Sequence, residues 1–308
     1  MATDLILDCD PGHDDAIALL LALQSPEITV RGVTTVAGNQ TLPKTTHSAL
    51  QVLTLANRTD VPVAAGMSEP IFRDLQVAEH VHGESGLDGP PLPDPETAPI
   101  DQHGVDFIAE TAREHDGITL APVGPLSNVG ALLKRYPDID EYIDRIVLMG
   151  GGVYQGNMTP AAEFNILVDP EAASLVFESD IPTTMVGLEV SRESAIPVDD
   201  FERFGTGGSQ VANTVVGWLE YFVKFHQDEF GWDKVPIHDA CAVADVIQPG
   251  IVETTDMSVV VETEGKYTLG ETVCDEHGVT DRPADTAVGV DIDTATFHDL
   301  LVDSITAY

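Results

Sequence analysis

Two rhythms of apolar and polar positions run along the chain. Residues 5–10 (LILDCD) form a short apolar run that predicts a strand, and the apolar stretch from about Asp14 to Gln24 predicts a helix behind it. The pair then repeats. ITVRGVTTVAG (28–38) predicts a strand and KTTHSALQVLTLAN (44–57) a helix, with VPVAAG (61–66) a short third strand. Helix 104–115, strand 118–124, helix 126–136 and strand 145–151 follow. Beyond these come NILVD, helix 170–179 and a strand over PTTMVGLEV (182–190). Helices dominate from Val211 to Gln248, and the stretch after Ile251 predicts a few strands and one helix.

This alternation predicts an α/β fold: one domain over 1–308, with a mostly parallel open sheet flanked by helices. Periodicity fails over 67–103, which is rich in Pro, Gly, His and acid. A loop of that length inside a compact domain suggests a functional lid or a disordered segment. In parallel sheets ligands bind beyond the carboxyl ends of the strands. The polar clusters around Asp10, Asn39, VGPLSN (123–128) and GGGVYQGN (150–157) all fall there.

Composition adds an extreme: 52 acidic against 14 basic residues in 308, a formal net charge of -38. The acids are spread among apolar segments, so they do not read as a disordered tail. Self-repulsion of this size loosens a fold at ordinary ionic strength, and concentrated salt screens it. The expectation is a halophilic protein in a salty cytoplasm. No apolar run is long enough for a membrane helix, and the first residues lack a basic leader. Phosphate backbones need basic patches, so nucleic acid is not expected as a partner. The three cysteines, Cys9, Cys241 and Cys274, have neither disulfide nor zinc spacing and are expected to be buried apolar residues.

The chemistry concentrates in DCDPGHDD (8–15). Acids favour a helix N-terminus, which accounts for Asp14 or Asp15. It does not account for Asp10 facing them across the turn at Gly12. Carboxylates so close either share a proton or share a cation. Oxygen-only donors point to a hard cation, Ca²⁺ or Mg²⁺. PIHDACAVADVI (236–247) brings His238 and Asp239 to a helix start, and GNMTPAAEFN (156–165) offers Asn157, Glu163 and Asn165. Together they suggest a polar pocket for a sugar diol around a cation.

These segments resemble one family. DCDPGHDDAIALLLAL, TTVAGNQT, HGESGLDG, APVGPLSN, MGGGVYQGNMTPAAEFNILVDPEAA and HDACAVAD, in that order from about Leu5 to Asp245, resemble the inosine-uridine preferring nucleoside hydrolases. After Ile251 the likeness is weaker. Where the family carries a basic, Arg-containing stretch, this chain has GKYTLGETVCDEHG (265–278). The resemblance implies the Rossmann-like fold of that family and hydrolysis of a ribonucleoside's N-glycosidic bond to ribose and free base. It implies one Ca²⁺ held by Asp10, Asp15, Asp239 and the Val123 carbonyl, with Asp10 as the base that activates a calcium-bound water. Asp14, Asn39 and Asn165 would bind the ribose diol, Asn157 and Glu163 the 5′-hydroxyl, and Met149 would line the sugar site. His238 would assist the departing base, with His82 on the loop above it. A homodimer or homotetramer is also implied.

Weaker signals carry less. Tyr221, Phe222, Phe225, Phe230 and Trp232 are expected mostly in the core, with one or two stacked on the base. His13 stands where the family commonly has an apolar residue, and is expected on the surface. The glycine-rich GTGGSQ (205–210) follows no strand and matches no phosphate loop.

Two rivals compete. A haloacid dehalogenase-type Mg²⁺ phosphatase also starts from Asp-x-Asp, but it requires a lysine on the phosphate, and none of the five lysines sits in such a motif. A non-catalytic ribonucleoside- or calcium-binding module would explain the pocket without a base.

Overall fold

The computed structural model describes residues 2–115 and 117–308. Strand β1 (Thr3–Cys9) leads into the helix His13–Gln24. Strand β2 (Ile28–Thr35), helix Leu42–Leu55 and strand β3 (Val63–Ala65) come next. After the loop and the helix Gly104–Glu114 come β4 (Ile118–Pro122), β5 (Ile143–Met149) and β6 (Thr183–Val186). These six strands are parallel to their neighbours. Strand Thr286–Ile292 pairs parallel with β6, and Val252–Met257 closes the sheet antiparallel at its edge. The eight-stranded order is β3-β2-β1-β4-β5-β6, then 286–292, then 252–257.

The chain moves outward from β1 to β3, then crosses back to place β4 on the other side of β1. The order therefore reverses between β1 and β4, where a crevice opens at the strands' carboxyl ends. Both faces of the sheet are covered, so β1 is a run of fully buried residues from Leu5 to Cys9. Helix 13–24 is apolar on nearly every side and is itself buried, wedged against the helix His238–Ile247.

The predicted strand over 182–190 is shorter than the apolar run. It stops at Val186, and Gly187 starts a helix over Leu188–Glu193. An apolar run buried in a helix looks like a buried strand in sequence. The helical region resolves into Gln210–Phe230 and His238–Ile247, with Lys234–Val235 pairing to Ile196–Pro197 between them. Within 67–103 the only helix is the four-residue Glu79–His82. Among the described residues, no helix is long and apolar enough to cross a membrane.

Candidate active site

Each strand end delivers one part of the crevice. Asp10 follows β1, Asn39 follows β2, Val123 follows β4, and Met149 ends β5. Helix 13–24 starts directly beneath the turn, so Asp14 and Asp15 occupy its first turn. Asp239 occupies the first turn of helix 238–247, which packs alongside. One carboxylate oxygen from each of Asp14, Asp15 and Asp239 lies within 4.8 Å of the others, and all three side chains are buried.

Asp15 is tied to the turn. Its Oδ1 accepts the Asp10 N–H at 3.0 Å and its Oδ2 the Gly12 N–H at 2.9 Å. Asp10 Oδ2 accepts the Asn39 N–H at 2.6 Å. The Asn39 amide Nδ2 donates to the Asp10 carbonyl and to Asp15 Oδ2, both at 3.2 Å. Asn39 thus holds the aspartates with its nitrogens, and only its Oδ1 is left to meet a ligand. Asp10 Oδ1 and Asp14 Oδ1 are buried with no protein partner. A Cβ at Gly38 or Gly124 would run into the Asp10 carboxylate, so only glycine leaves room for it.

Burial drives the electrostatics. It holds Asp10, Asp14 and Asp239 well above the usual carboxylate range, reinforced by their mutual repulsion, and raises Asp15 as well. Glu163 is pushed up to about 7 by burial, against backbone N–H groups that favour its ionised form. Its Oε2 accepts Gly151 N–H at 3.1 Å and Ile166 N–H at 3.3 Å. Burial pushes His238 down to about 3 and His13 to about 4, and holds His82 well below its usual value. These imidazoles rest neutral.

A cavity of about 360 Å³ joins these groups, in the range for small-molecule sites. Asp14, Asn39, Val123, Met149 and Asp239 line its floor. Asn165 lines it too, donating from Nδ2 to the Val123 carbonyl at 2.8 Å and the Met149 carbonyl at 3.1 Å. Asn157 reaches it with its Oδ1 already accepting the Phe164 N–H at 2.9 Å, and Glu163 stands beside it. His82 and His238 line it as well. The residues expected to hold the cation and the sugar therefore gather at one crevice. Asp10 and Asp15 lie just behind the wall, bonded to Asn39.

Three sequence expectations need correction. His13 is not on the surface: it is fully buried. Its ring stacks on His82, Tyr221 and Phe222 at centroid distances of 5.3, 5.1 and 5.4 Å. The long loop and helix 210–230 fold over it, an arrangement no local pattern encodes. The aromatic cluster is also more exposed to the cavity than expected: Phe222, Phe225, Phe230 and Trp232 all line it. They mark the end of helix 210–230 that overhangs the crevice, although Phe222 also packs in the core. Cys9 and Cys241 are buried as expected, but Cys274 is only half-buried.

Two residues were missed. Ser191 Oγ lies 2.7 Å from His238 Nδ1 and donates to the Gly187 carbonyl at 3.2 Å. This contact at Nδ1 fixes the orientation of the His238 ring and leaves Nε2 without that partner. Arg192 lines the cavity, half-buried, donating to the Gly156 carbonyl at 3.0 Å. Both lie just past the strand expected over 182–190, in the helix Leu188–Glu193 that the apolar pattern did not reveal.

Comparison with known proteins agrees with this geometry. The profile of the family described as inosine-uridine preferring nucleoside hydrolase matches residues 5–299. A pyrimidine-specific ribonucleoside hydrolase RihA of Shigella boydii is 48% identical over 310 residues, covering 100% of both chains. Its Escherichia coli O1:K1 counterpart is equally similar, at 48% over the full length of both. Among solved structures, a plant nucleoside hydrolase, the PpNRh1 enzyme, superposes with a TM-score of 0.93 at 30% identity, covering 100% of each chain. A purine-preferring ribonucleoside hydrolase from Gardnerella vaginalis gives 0.94 at 29% identity, covering 99% of this chain and 98% of that one. The phosphatase and the non-catalytic module are both set aside by this result. The chain belongs to the inosine-uridine preferring nucleoside hydrolase family, and its reaction is the hydrolysis of a ribonucleoside's N-glycosidic bond.

Proposed function

We propose that the preferred substrates are pyrimidine ribonucleosides, and that the site works with one Ca²⁺ seated by Asp10, Asp15, Asp239 and the Val123 carbonyl. The carrying observation is the buried carboxylate cluster in which Asp10 Oδ1 and Asp14 Oδ1 lack any protein partner. Four mutually repelling carboxylates buried together need a counter-charge, and donors that are all oxygen suit a hard cation. Bound there, such an ion supplies a grip on vicinal hydroxyls and acidifies a water molecule.

The chain's own groups do the rest. Asp10 has one oxygen fixed by Asn39 and one free, so it is positioned to accept a proton from water as the water oxygen bonds to C1′ and the C1′–N bond breaks, its electron pair leaving on the nucleobase, which takes up a proton from solvent. Positive charge grows on the ribose as that bond stretches. Asp14, Asn39 and Asn165 face it with oxygens that also bind the 2′- and 3′-hydroxyls. Glu163 and Asn157 meet the 5′-hydroxyl, and Met149 lies against the sugar. His238 and His82 rest neutral, so they offer the departing base hydrogen bonds and not a stored proton. Phe222, Phe225, Phe230 and Trp232 give the flat base a stacking surface.

The pyrimidine assignment rests on the RihA relatives, whose name states that specificity. A panel of ribonucleosides in concentrated salt, read by release of free ribose, tests it. Uridine and cytidine should exceed inosine in kcat/KM by about tenfold or more. An inosine preference would overturn the assignment.

The cation has its own test. A carboxyl whose folded pKa lies above its unfolded value of about 4 stabilises the fold below that value and loses this contribution as pH climbs. All four aspartates are shifted that way. The EDTA-treated protein should therefore lose stability as pH rises from about 4 into the neutral range. Ca²⁺ should flatten that slope and restore ribose release. A metal-free melting midpoint that rises over this interval would count against the seat. The same reading expects a homodimer or homotetramer in a saline cytoplasm, measurable by light scattering in concentrated salt.

A further inference from the structure

Two side chains of the helix Leu188–Glu193 reach out of it to hold one loop. Glu189 accepts the Val153 N–H at Oε2 and the Tyr154 N–H at Oε1, each at 3.0 Å. Three residues on, and so on the same face of the helix, Arg192 donates from Nη2 to the Gly156 carbonyl, also at 3.0 Å. The loop they hold carries Asn157 and runs on to Glu163, the two residues read above as meeting the 5′-hydroxyl. The end of the helix is itself tied down. Lys234 Nζ donates to the Arg192 carbonyl at 3.3 Å, and His298 Nε2 to the Ser194 carbonyl at 2.9 Å.

Arg192 is placed unusually for so acidic a chain. Arg31, Arg73, Arg113 and Arg135 all pair with carboxylates. Among the described residues Arg192 forms no ion pair, and no other arginine or lysine lines the cavity. It spends its bond on a backbone carbonyl, and a charged donor makes that bond a strong one. The anchored carbonyl belongs to the residue just before Asn157. Beyond it the loop tip is tightly wound. The N–H groups of Asn157, Met158 and Thr159 converge on the Ala162 carbonyl at 3.1, 3.2 and 3.3 Å. Asn157 Oδ1 accepts the Phe164 N–H at 2.9 Å. A Cβ at Gly156 would run into the carbonyls of Thr159 and Ala162. A tip wound this way moves as one body, so fixing it at Gly156 fixes Asn157. The tip is exposed at Gln155, Asn157, Met158 and Pro160, so packing alone does little to hold it.

We propose that Arg192 and Glu189 are positioning residues for the 5′ end of the sugar: by anchoring the loop at Gly156 and at 153–154 they hold Asn157 in place beside Glu163, and so make cleavage depend on the 5′-hydroxyl. This rests on the reading of Asn157 and Glu163 as its contacts. With Oδ1 taken, Asn157 offers its amide nitrogen as a donor, and Glu163 offers a carboxylate oxygen as an acceptor. A hydroxyl has use for one of each. Binding energy from a hydroxyl remote from C1′ helps the reacting centre only when the groups that grip it are fixed.

The test compares uridine with 5′-deoxyuridine in the full-length protein, or inosine with 5′-deoxyinosine should the purine be the better substrate. The parent should favour the hydroxylated member by about a hundredfold or more in kcat/KM. Arg192→Met keeps the aliphatic stem and removes the donor. It should shrink that ratio by about tenfold, and amide hydrogen exchange at 153–159 should speed up by about the same factor. Arg192→Lys, which restores a charged donor, should recover most of the ratio. Glu189→Gln should shrink the ratio in the same direction and serves if the methionine variant folds poorly. A ratio in Arg192→Met equal to the parent's overturns the proposal even where turnover drops, because general damage to the fold lowers cleavage of both substrates alike. A parent that cleaves the two nucleosides equally, with the loop amides still loosened in Arg192→Met, overturns the 5′-hydroxyl reading itself and leaves the anchor without a part in the reaction.

Discussion

Asp10→Asn is expected to lower kcat by about a thousandfold or more while leaving the fold intact, since loss of a general base typically costs between about a hundred- and ten-thousandfold. Asparagine has the same shape, and its Oδ1 can still accept the Asn39 N–H that Asp10 now receives at 2.6 Å. Its amide group would stand where the unpartnered Asp10 Oδ1 is, in the space left by Gly124. What disappears is the negative oxygen that takes the proton and helps seat the cation. Because one of four repelling carboxylates is removed, the metal-free variant should melt no lower than the parent, and its response to added Ca²⁺ should shrink. Steady-state ribose release and thermal melts with and without Ca²⁺ read both outcomes. A variant that keeps most of its turnover would remove Asp10 from the role of base. One that loses activity only because it unfolds would leave the Ca²⁺ response of the parent as the deciding measurement.

Dilution of salt is expected to be nearly as damaging. The chain carries a formal charge of -38, and only 14 basic residues are available to offset 52 acidic ones. The ion pairs that do form are partly exposed, such as Arg31–Asp4 and Arg113–Asp138 at 2.8 Å each, and such pairs contribute little individually. Most of the repulsion is therefore left to the solvent. Its range grows from about 3 Å in 1 M salt to about 10 Å in 0.1 M. If that change costs about 4 kcal/mol, the melting midpoint should drop by about 6 °C in a chain of this size. Melts across a potassium chloride series, with Ca²⁺ held constant, measure it. Equal midpoints in dilute and concentrated salt would contradict the halophilic reading.

Much was legible before any coordinates. The alternation of strand and helix patterns implied the parallel sheet because each apolar run has to be covered on both faces. DCDPGHDD marked its own chemistry because helix capping accounts for Asp14 or Asp15 but not for Asp10 facing them across the turn. Asp10, Asn39 and the turns 123–128 and 150–157 could be grouped because strand ends in such a sheet share one edge, while the roles of Met149 and Asn165 came from the family resemblance alone. Long-range pairings were not legible. That Asn39 spends its amide on Asp10 and Asp15, that Ser191 fixes the ring of His238, and that a run ending in GLEVSRES turns into a helix all depend on segments far apart in the chain.

His13 shows where the division falls. By itself the sequence determined which side chains carry charge, which runs must be buried, and that carboxylates crowd a turn between strand and helix, since those follow from residue type and local spacing. Only the tertiary structure decided that a histidine in that turn lies beneath residues 82–88 and 221–222, because burial and hydrogen-bond partnership are properties of the neighbours that folding brings in from elsewhere in the chain.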